Sequence, residues 1–296
     1  MRIDSREGAD ARQGDGEEMA ASERAGARQV TGRAGFRERC SGARQLTGIA
    51  KWRERGGGAV LIPASEGAGA RPDDWWRARP GSIVRHMKLH GFWRSTATWR
   101  VRIALAYKGL AYEYVAVDLL TGEGAQHSPE HRRRNPMAQV PVLEIEEGLY
   151  LTQSIAILEF LEERWPTPPL LPRDPLARAR VRQLTEVINA GIQPLQNTGV
   201  QRHLQSLGVD ATAWIHRFVG KGLAALEAMT LPVAGRFSVG DALSFADLAL
   251  VPQLSFARRF GVDLTGLPTL LRVETNCAEL DCFKRAHAEA QPDAPR

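Results

Sequence analysis

The stretch that decides the fold reads MKLHGFWRSTATWRVRIALAYKG and spans residues 87–109. Its first part, from Lys88 to Trp93, alternates in the manner of a half-buried β-strand. An Arg-Ser pair then marks the start of a helix, and apolar residues recur at helical spacing up to Gly109. The residues expected on one face of this helix are Trp99, Ile103, Ala106 and Tyr107. The stretch therefore predicts a strand, a short turn and a helix.

Further strands and helices follow in an order typical of a thioredoxin-like domain. The alternating run YEYVAVDL predicts a second strand, and two short runs around Glu146-Glu147-Gly148 predict a hairpin. A short helix is expected before the hairpin, and Ser154 is expected to cap the helix after it. The order β-α-β-α-β-β-α is that of a thioredoxin-type layer. The expected elements after the first helix are 112–119, 129–134, 142–145, 149–152 and a helix from Ser154.

A proline cluster separates this part of the chain from a second part with a different character. Prolines recur between residues 166 and 175, and no helix runs through such a stretch. Beyond it the apolar residues keep helical spacing, and Ser244 with Asp247 predicts a capped helix start. The predicted fold class is α/β plus all-α. The expected parts are an α/β domain at 87–166, a linker at 167–175 and an all-helical domain at 176–296.

Residues 1–86 differ in composition from the rest of the chain. They contain 16 Lys and Arg against 12 Asp and Glu, a net charge of +4, whereas residues 87–296 contain 23 against 22, a net charge of +1. Only 12 residues of this segment are Ile, Leu, Val, Phe or Met, too few to form a core. We therefore expect 1–86 to be a disordered or spurious N-terminal extension. A nucleic-acid-binding arm is the weaker alternative, and no nucleic-acid partner is expected.

The cysteines and the hydropathy indicate a cytoplasmic protein. Cys40, Cys277 and Cys282 show neither a CxxC pair nor a histidine at metal-ligand spacing, so reduced thiols and no metal site are expected. No apolar run reaches membrane-spanning length, and no secretory signal is recognised. A membrane partner is therefore not expected.

Several ordered motifs resemble those of the zeta class of glutathione transferases, and the resemblance runs from Met87 nearly to the C-terminus. It implies an N-terminal thioredoxin-like domain followed by an all-helical glutathione transferase C-terminal domain. It also implies glutathione as the cofactor and a homodimer as the assembly. The motifs are FWRSTATWRVRIAL, NPMAQVPVL, LTQSIAILEFLEE, GIQPLQN and SFADLALVPQLSFARRFGVDL.

The resemblance further implies which residues bind glutathione. The backbone of Val140 pairs with the cysteinyl group, Pro141 is the cis-proline of the family, and Gln153 and Ser154 hold the γ-glutamyl group. The N-terminus of a helix suits this group because free N–H groups and the helix dipole favour an anion. Further glutathione contacts expected from the motifs are Gln126, Gln193 and Asn197.

Ser95 and Thr96 are the candidate catalytic residues because they lie between the first strand and its helix. A hydroxyl there can donate to a sulfur while helix N–H groups add positive potential, and both effects stabilise a thiolate. Lowering a thiol pKa by about two units requires about 2.7 kcal/mol. Either hydroxyl taken alone would be interpreted as a helix cap without chemistry. Ala97 stands where many members of the class carry a cysteine, so no protein thiol acts at that position.

The implied reaction is the glutathione-dependent cis–trans isomerisation of maleylacetoacetate to fumarylacetoacetate, a step of tyrosine and phenylalanine catabolism. Such a substrate is a small-molecule dicarboxylate, and a guanidinium group binds a carboxylate through two parallel hydrogen bonds. The candidate substrate-binding residues are Arg94, Arg100 and Arg259. For any single arginine the alternative is a solvated surface charge, which is the interpretation for Arg258 or Arg102 and an alternative for Arg100 as well.

Three alternatives stay open on sequence grounds. The first is maleylpyruvate as substrate, because FWRS, YEYVAVDL and the tail from Glu279 are similar to the enzyme that acts on it, whereas QPLQN is closer to the maleylacetoacetate type. The second is a general transferase or dehalogenase. The third is a non-catalytic binding module. Such modules usually lack the Gln-Ser pair or the catalytic hydroxyl, and here Gln153, Ser154 and Ser95 are all present.

Overall fold

The computed structural model describes residues 87–295. The predictions made for residues 1–86, including the reduced state of Cys40, lie outside this range. The α/β half begins with the predicted strand β1, Lys88–Gly91, and helix α1, Thr96–Tyr107. Ser95 caps α1, as the Arg-Ser signal indicates.

Helix α1 is buried on nearly all sides. Of the predicted apolar face, Trp99 and Ile103 are buried and the other two residues are partly buried, while Val101 and Leu105 are buried as well. The reason is that α1 packs against three other helices of the fold. A helix surrounded in this way loses the one-sided apolar pattern of a surface helix.

The rest of the α/β half follows the predicted order. Its elements are β2 Glu113–Ala116, α2 Pro129–Arg134, β3 Val142–Glu146, β4 Leu149–Thr152 and α3 Ser154–Arg164. The four strands form one sheet in the order β2-β1-β3-β4. Strand β1 pairs in parallel with β2 and antiparallel with β3, and β3 pairs antiparallel with β4. This topology confirms the thioredoxin-like arrangement, although β2 is shorter than the run YEYVAVDL suggests.

The second half consists of helices and the loops that join them. They are α4 Pro175–Glu186, α5 Gln193–Gln196, α6 Thr198–Ser206, α7 Ala211–Thr230, α8 Phe245–Arg259, α9 Pro268–Ala278 and α10 Asp281–Ala286. The predicted capping box at the start of α8 is present, with Asp247 fully buried and bonded to Ser244. No helix of residues 87–295 is long and apolar enough to cross a membrane. Cys277 and Cys282 are both buried free thiols.

A buried ion pair anchors the proline-rich connection between the halves. Lys108 Nζ lies 2.8 Å from Glu162 Oε2 and also donates to the carbonyls of Trp165, at 2.6 Å, and Pro168, at 2.9 Å. Glu162 in turn accepts the backbone N–H of Leu170, at 3.0 Å from its Oε2. The connection is therefore held by side chains of α1 and α3, and both charges are satisfied by hydrogen bonds.

Replacement of Glu162 should destabilise the fold strongly. Glu162→Ala leaves the Lys108 ammonium buried without its counter-charge, and breaking such a pair costs about 3–5 kcal/mol. The free energy of unfolding in urea measures this loss. Glu163→Ala removes the adjacent exposed carboxylate and serves as the control. Equal losses in the two variants would contradict an anchoring role for the pair.

Candidate active site

The turn between β1 and α1 places Ser95 at the N-terminus of a buried helix. Its Oγ accepts a hydrogen bond from the Thr98 N–H at 3.2 Å, and its own N–H donates to the Phe92 carbonyl at 3.0 Å. The side chain is only half-buried. A hydroxyl that accepts a capping bond still has its own proton to donate. Ser95 is therefore a capping residue and also a hydrogen-bond donor at the positive end of the helix dipole.

Thr96 is connected to the helical half of the chain. Its Oγ1 accepts a hydrogen bond from Gln193 Nε2 at 3.0 Å, and the residue is buried. This bond fixes the hydroxyl oxygen and again leaves the hydroxyl proton available. Ala97, the next residue, carries no polar side-chain atom. The two neighbouring hydroxyls are thus held by different partners, one local and one from the helical half.

Arg100, on the second turn of α1, is completely buried. Its Nη2 donates to Gln193 Oε1 at 2.6 Å, and its Nη1 donates to Asn189 Oδ1 at 3.2 Å and Ser154 Oγ at 3.4 Å. Its Nε is buried without a hydrogen-bond partner. Burial lowers the pKa of the Arg100 guanidinium to about 10. No salt bridge within residues 87–295 includes this group.

This position changes the interpretation of Arg100. The sequence predicts a contact with a substrate carboxylate, but a guanidinium without exposed surface cannot make one in this conformation. Its hydrogen bonds instead join Ser154, at the start of α3, to Gln193, which holds Thr96. Arg100 is therefore a candidate for holding the site together.

A short irregular helix brings Asn189 and Gln193 to this guanidinium. Val187–Ile192 forms a π-helical turn between α4 and α5, and such turns are frequent at functional sites. Hydrophobic periodicity does not reveal a π-turn, and the sequence analysis missed Asn189. The available signal was the spacing of two amides four residues apart, which places side chains on neighbouring positions of a helix.

The loop before β3 has the backbone that the motif NPMAQVPVL predicts. The Val140–Pro141 peptide bond is cis. Asn135 Nδ2 donates to the Gln139 carbonyl at 2.8 Å, and His131 Nε2 lies 3.0 Å from the same oxygen. Side chains in and next to α2 therefore fix the backbone that leads to Val140.

Gln153 and Ser154 form the start of α3. The N-cap is Gln153, whereas Ser154 is the first helical residue, which corrects the prediction that Ser154 is the cap. Gln153 has φ +68°, a conformation that is uncommon outside glycine and costs about 1–3 kcal/mol. Its side chain is exposed, while Ser154 is buried against Arg100. Strain of this kind often accompanies ligand sites, which makes the pair a candidate binding element.

Gln126 and Asn197 lie on two other loops. Gln126 belongs to a 3₁₀ turn after β2 and is buried, with its Oε1 lacking a hydrogen-bond partner. Arg202 of α6 reaches the same loop, where its Nη2 donates to the Leu119 carbonyl at 3.1 Å. Asn197 is the N-cap of α6, and its side chain makes no capping bond. Because buried polar atoms are usually satisfied, Gln126 Oε1 is an acceptor that a ligand could use.

Arg94 and Arg259 form a pair of cations in aromatic surroundings. Each guanidinium carbon lies between 5.0 and 5.7 Å from the centres of two aromatic rings. The rings are Phe92 and Trp93 for Arg94, and Phe256 and Phe260 for Arg259. Desolvation and the positive charge of Arg94 lower the pKa of Arg259 to about 10. An anion bound near both groups would relieve this repulsion.

The two other arginines differ from each other. Arg258 is exposed and pairs with Glu274, in agreement with its interpretation as a surface charge. Arg102 is completely buried, so the same interpretation was wrong for it. Its guanidinium donates to the backbone carbonyls of Trp93, in the turn before α1, and of Ala286, in α10. The sequence pattern could not show this because it does not reveal which elements surround α1. Within residues 87–295, no group of His, Cys, Asp and Glu side chains is arranged to hold a metal ion.

Comparison with known proteins agrees with this geometry. The family described as "Glutathione S-transferase, N-terminal domain" matches residues 85–163. Maleylacetoacetate isomerase of Mus musculus is 44% identical over 208 residues, which cover 70% of this chain and 94% of that protein. The α/β half therefore has the fold of a glutathione transferase.

Two solved structures extend the comparison to the helical half. Maleylacetoacetate isomerase from Anaeromyxobacter dehalogenans 2CP-1, with glutathione bound in its active site, is 54% identical and has a TM-score of 0.66. The match covers 71% of this chain and 98% of that one. A holo structure of maleylpyruvate isomerase, a bacterial zeta-class protein, is 42% identical with a TM-score of 0.67, covering 70% of this chain and 100% of that one. The chain belongs to the maleylacetoacetate isomerase family, the zeta class of glutathione transferases.

Proposed function

We propose that the chain is a glutathione-dependent cis–trans isomerase that converts maleylacetoacetate to fumarylacetoacetate. The observation that carries the proposal is the Arg100 network, which connects Ser154 and Gln193, and through Gln193 also Thr96, to one buried guanidinium on α1. The relatives support the same activity, since they carry the name of this isomerase and one of them holds glutathione in its active site.

The described residues fit glutathione as the cofactor. The Arg100 guanidinium is buried without a carboxylate partner, so a nearby anion would offset part of the cost of burying its charge. One buried polar atom, Gln126 Oε1, lacks a hydrogen-bond partner that a ligand could provide. The residues proposed to hold glutathione are Gln126, Val140, Pro141, Gln153, Ser154, Gln193 and Asn197.

Ser95 and Thr96 are the proposed hydrogen-bond donors to the glutathione sulfur. The Ser95 hydroxyl accepts a hydrogen bond from the Thr98 N–H, and the Thr96 hydroxyl accepts one from Gln193. These bonds fix the orientation of the hydroxyls and leave their protons available. The N–H groups of the first turn of α1 and the charge of Arg100 add positive potential in the same region. All of these effects favour thiolate over thiol.

When bound, glutathione supplies a thiolate that adds to the cis double bond, and rotation about the new single bond followed by elimination gives the trans product. The residues of the chain bind the substrate and stabilise the charge that develops on it. Arg94 and Arg259 come from different halves and are proposed to bind the substrate carboxylates. Their positive charge also stabilises the electrons displaced towards the carbonyl group next to the double bond.

Maleylpyruvate is the second candidate substrate. The observation in its favour is the 42% identity to a maleylpyruvate isomerase of the same class, at complete coverage of that chain. The chemistry is the same, because both substrates place a cis double bond between two carboxylate-bearing arms. A dehalogenase and a non-catalytic module have no comparable observation in their favour.

Turnover of maleylacetoacetate and maleylpyruvate, followed side by side by absorbance with and without glutathione, tests the proposal. We expect glutathione-dependent turnover with the higher kcat/KM for maleylacetoacetate. Arg259→Ala should lower kcat/KM by about 10- to 150-fold through loss of one charge-assisted contact, with little change in the KM for glutathione. Arg258→Ala is the control. A higher kcat/KM for maleylpyruvate would make maleylpyruvate the first candidate substrate. Glutathione binding without turnover of either compound would contradict an isomerase.

We also propose a cytoplasmic homodimer. The free thiols of Cys277 and Cys282 are consistent with a reducing compartment. The dimer is supported by the resemblance to the zeta class, in which the α/β domain of one chain packs on the helical domain of the other. Light scattering at micromolar concentration tests this part, and a monomer would contradict it.

Removal of the Ser95 hydroxyl should shift the pH dependence of the reaction. Without this donor the thiol form of glutathione is favoured, so its pKa rises and the acid limb of kcat moves to higher pH. The expected shift is about one to two pH units, the equivalent of about 1.5–3 kcal/mol. Ser128→Ala removes the matching cap of α2 and controls for the loss of a helix cap. An unshifted acid limb with unchanged kcat in Ser95→Ala would move the assignment to Thr96.

Replacement of Arg100 should weaken glutathione binding. Arg100→Met removes the buried charge and frees Ser154 and Gln193, so we expect an affinity loss of about 10- to 100-fold. Arg100→Lys retains the charge without the planar fork and should lose less. Isothermal titration calorimetry measures both, with the exposed Arg133→Met as the control. Normal glutathione affinity in a folded Arg100→Met variant would contradict the proposed role.

A further inference from the structure

The turn between β1 and α1, residues 92–95, is called the catalytic turn because it carries Ser95. Its residue Trp93 is held by side chains from two distant parts of the chain. Trp93 lies two residues before Ser95, and its N–H donates to Asp293 Oδ2 at 2.9 Å. Its carbonyl accepts a hydrogen bond from Arg102 Nη2 at 2.7 Å. Both backbone polar groups of Trp93 are therefore bound by charged side chains, one of them 200 positions further along the sequence.

Arg102 connects this backbone to the C-terminal helix. It is completely buried, and its Nε donates to the Ala286 carbonyl at 3.2 Å while its Nη1 lies 3.4 Å from the Phe92 carbonyl. Burial lowers the pKa of the guanidinium, and the charge of Asp293 is among the influences that oppose this shift. The C-terminal segment thus provides both a neutral acceptor and a negative charge to Arg102.

Asp293 contacts both the turn before α1 and the sheet. Besides the Trp93 N–H, its Oδ2 accepts the Tyr114 hydroxyl at 3.2 Å, while its Oδ1 is buried without a hydrogen-bond partner. Tyr114 belongs to β2, so the carboxylate joins the segment after α10 to the sheet and to the turn at once.

The segment before Asp293 is fixed by packing. The ring of His287 lies 5.0 Å from that of Trp99 in an edge-to-face arrangement. Ala286 and Ala288 are buried on either side of it. Packing against α1 therefore fixes the position of this segment, and this position lets the Asp293 carboxylate accept the Trp93 N–H.

We propose that Asp293 is a positioning residue for the catalytic turn, and that its bond to the Trp93 N–H, together with the Arg102 bond to the Trp93 carbonyl, sets the position of Ser95. The inference rests on the proposed function, because it takes Ser95 as a donor to the glutathione sulfur. It assigns a role in the reaction to a C-terminal segment that does not itself carry the reacting groups.

The test combines amide hydrogen exchange with kinetics on the full chain. Asp293→Ala should speed exchange in a peptide covering residues 91–98, because the Trp93 N–H loses its acceptor. It should also lower kcat by about 10- to 100-fold, the size of effect that a small misplacement of a reacting group produces. The KM for glutathione should change little, since the proposed γ-glutamyl contacts lie at α3. Asp293→Asn retains an oxygen for the Trp93 N–H and should recover part of both effects.

Glu289→Ala, which removes an exposed carboxylate of the same segment, is the control and should leave exchange and kcat unchanged. Unchanged exchange at 91–98 in Asp293→Ala would overturn the inference. A lower melting temperature with unchanged kcat and an unshifted acid limb in the pH dependence of kcat would overturn it as well. If Asp293→Ala speeds exchange at the turn but the wild-type protein has no isomerase activity, the positional role of Asp293 stands and the proposed function is rejected. The exchange measurement therefore separates the two failures.

Discussion

Helix α1 carries two guanidinium groups, Arg100 and Arg102, that are both completely buried. Neither can be hydrated, so the protein around α1 has to satisfy their hydrogen bonds. The two Nη groups of Arg100 donate to Ser154, Asn189 and Gln193, and Arg102 donates to three backbone carbonyls. The contacts of Arg100 reach Asn189 and Gln193, and those of Arg102 reach Ala286 in the C-terminal helix. The turn that carries Ser95 lies directly before both groups in the sequence.

This constraint explains how both halves of the chain contribute to the proposed site. The α/β half contributes the hydroxyls, the cis-proline loop and the N-terminus of α3, as a thioredoxin-like layer with glutathione as ligand would. The helical half contributes Gln193, which bonds both Thr96 and Arg100. It also contributes Arg259, whose pKa is lowered by desolvation and by the charge of Arg94. In the proposed reaction the thiol is activated in the α/β half, and Gln193 of the helical half orients one of the two hydroxyls, that of Thr96. Because Ala97 offers no thiol, the proposed activation relies on hydroxyls, helix N–H groups and buried charge.

The local parts of this arrangement could be predicted from the sequence. The capping role of Ser95, the short helix Pro129–Arg134, the strand Leu149–Thr152 and the cis bond before Pro141 all follow from short-range patterns or from a motif. The interpretation of Arg102 as a surface charge failed because periodicity describes one face of a helix and α1 is enclosed on several. The predicted cap of α3 was wrong by one residue because Gln153 has a positive φ, which the sequence does not indicate. Asn189 and Asp293 were missed because each acts through a partner about 90 or 200 positions away, and a pattern of neighbouring residues contains no information on such pairs.

The N-terminus of α1 and its hydroxyls are proposed to stabilise a glutathione thiolate. Titration of glutathione bound to the wild-type protein, followed by the ultraviolet absorbance of the thiolate and compared with free glutathione, tests this proposal. We expect a bound thiol pKa about two units below that of the free thiol, which corresponds to about 2.7 kcal/mol. A bound thiol that titrates at the same pH as free glutathione would contradict it.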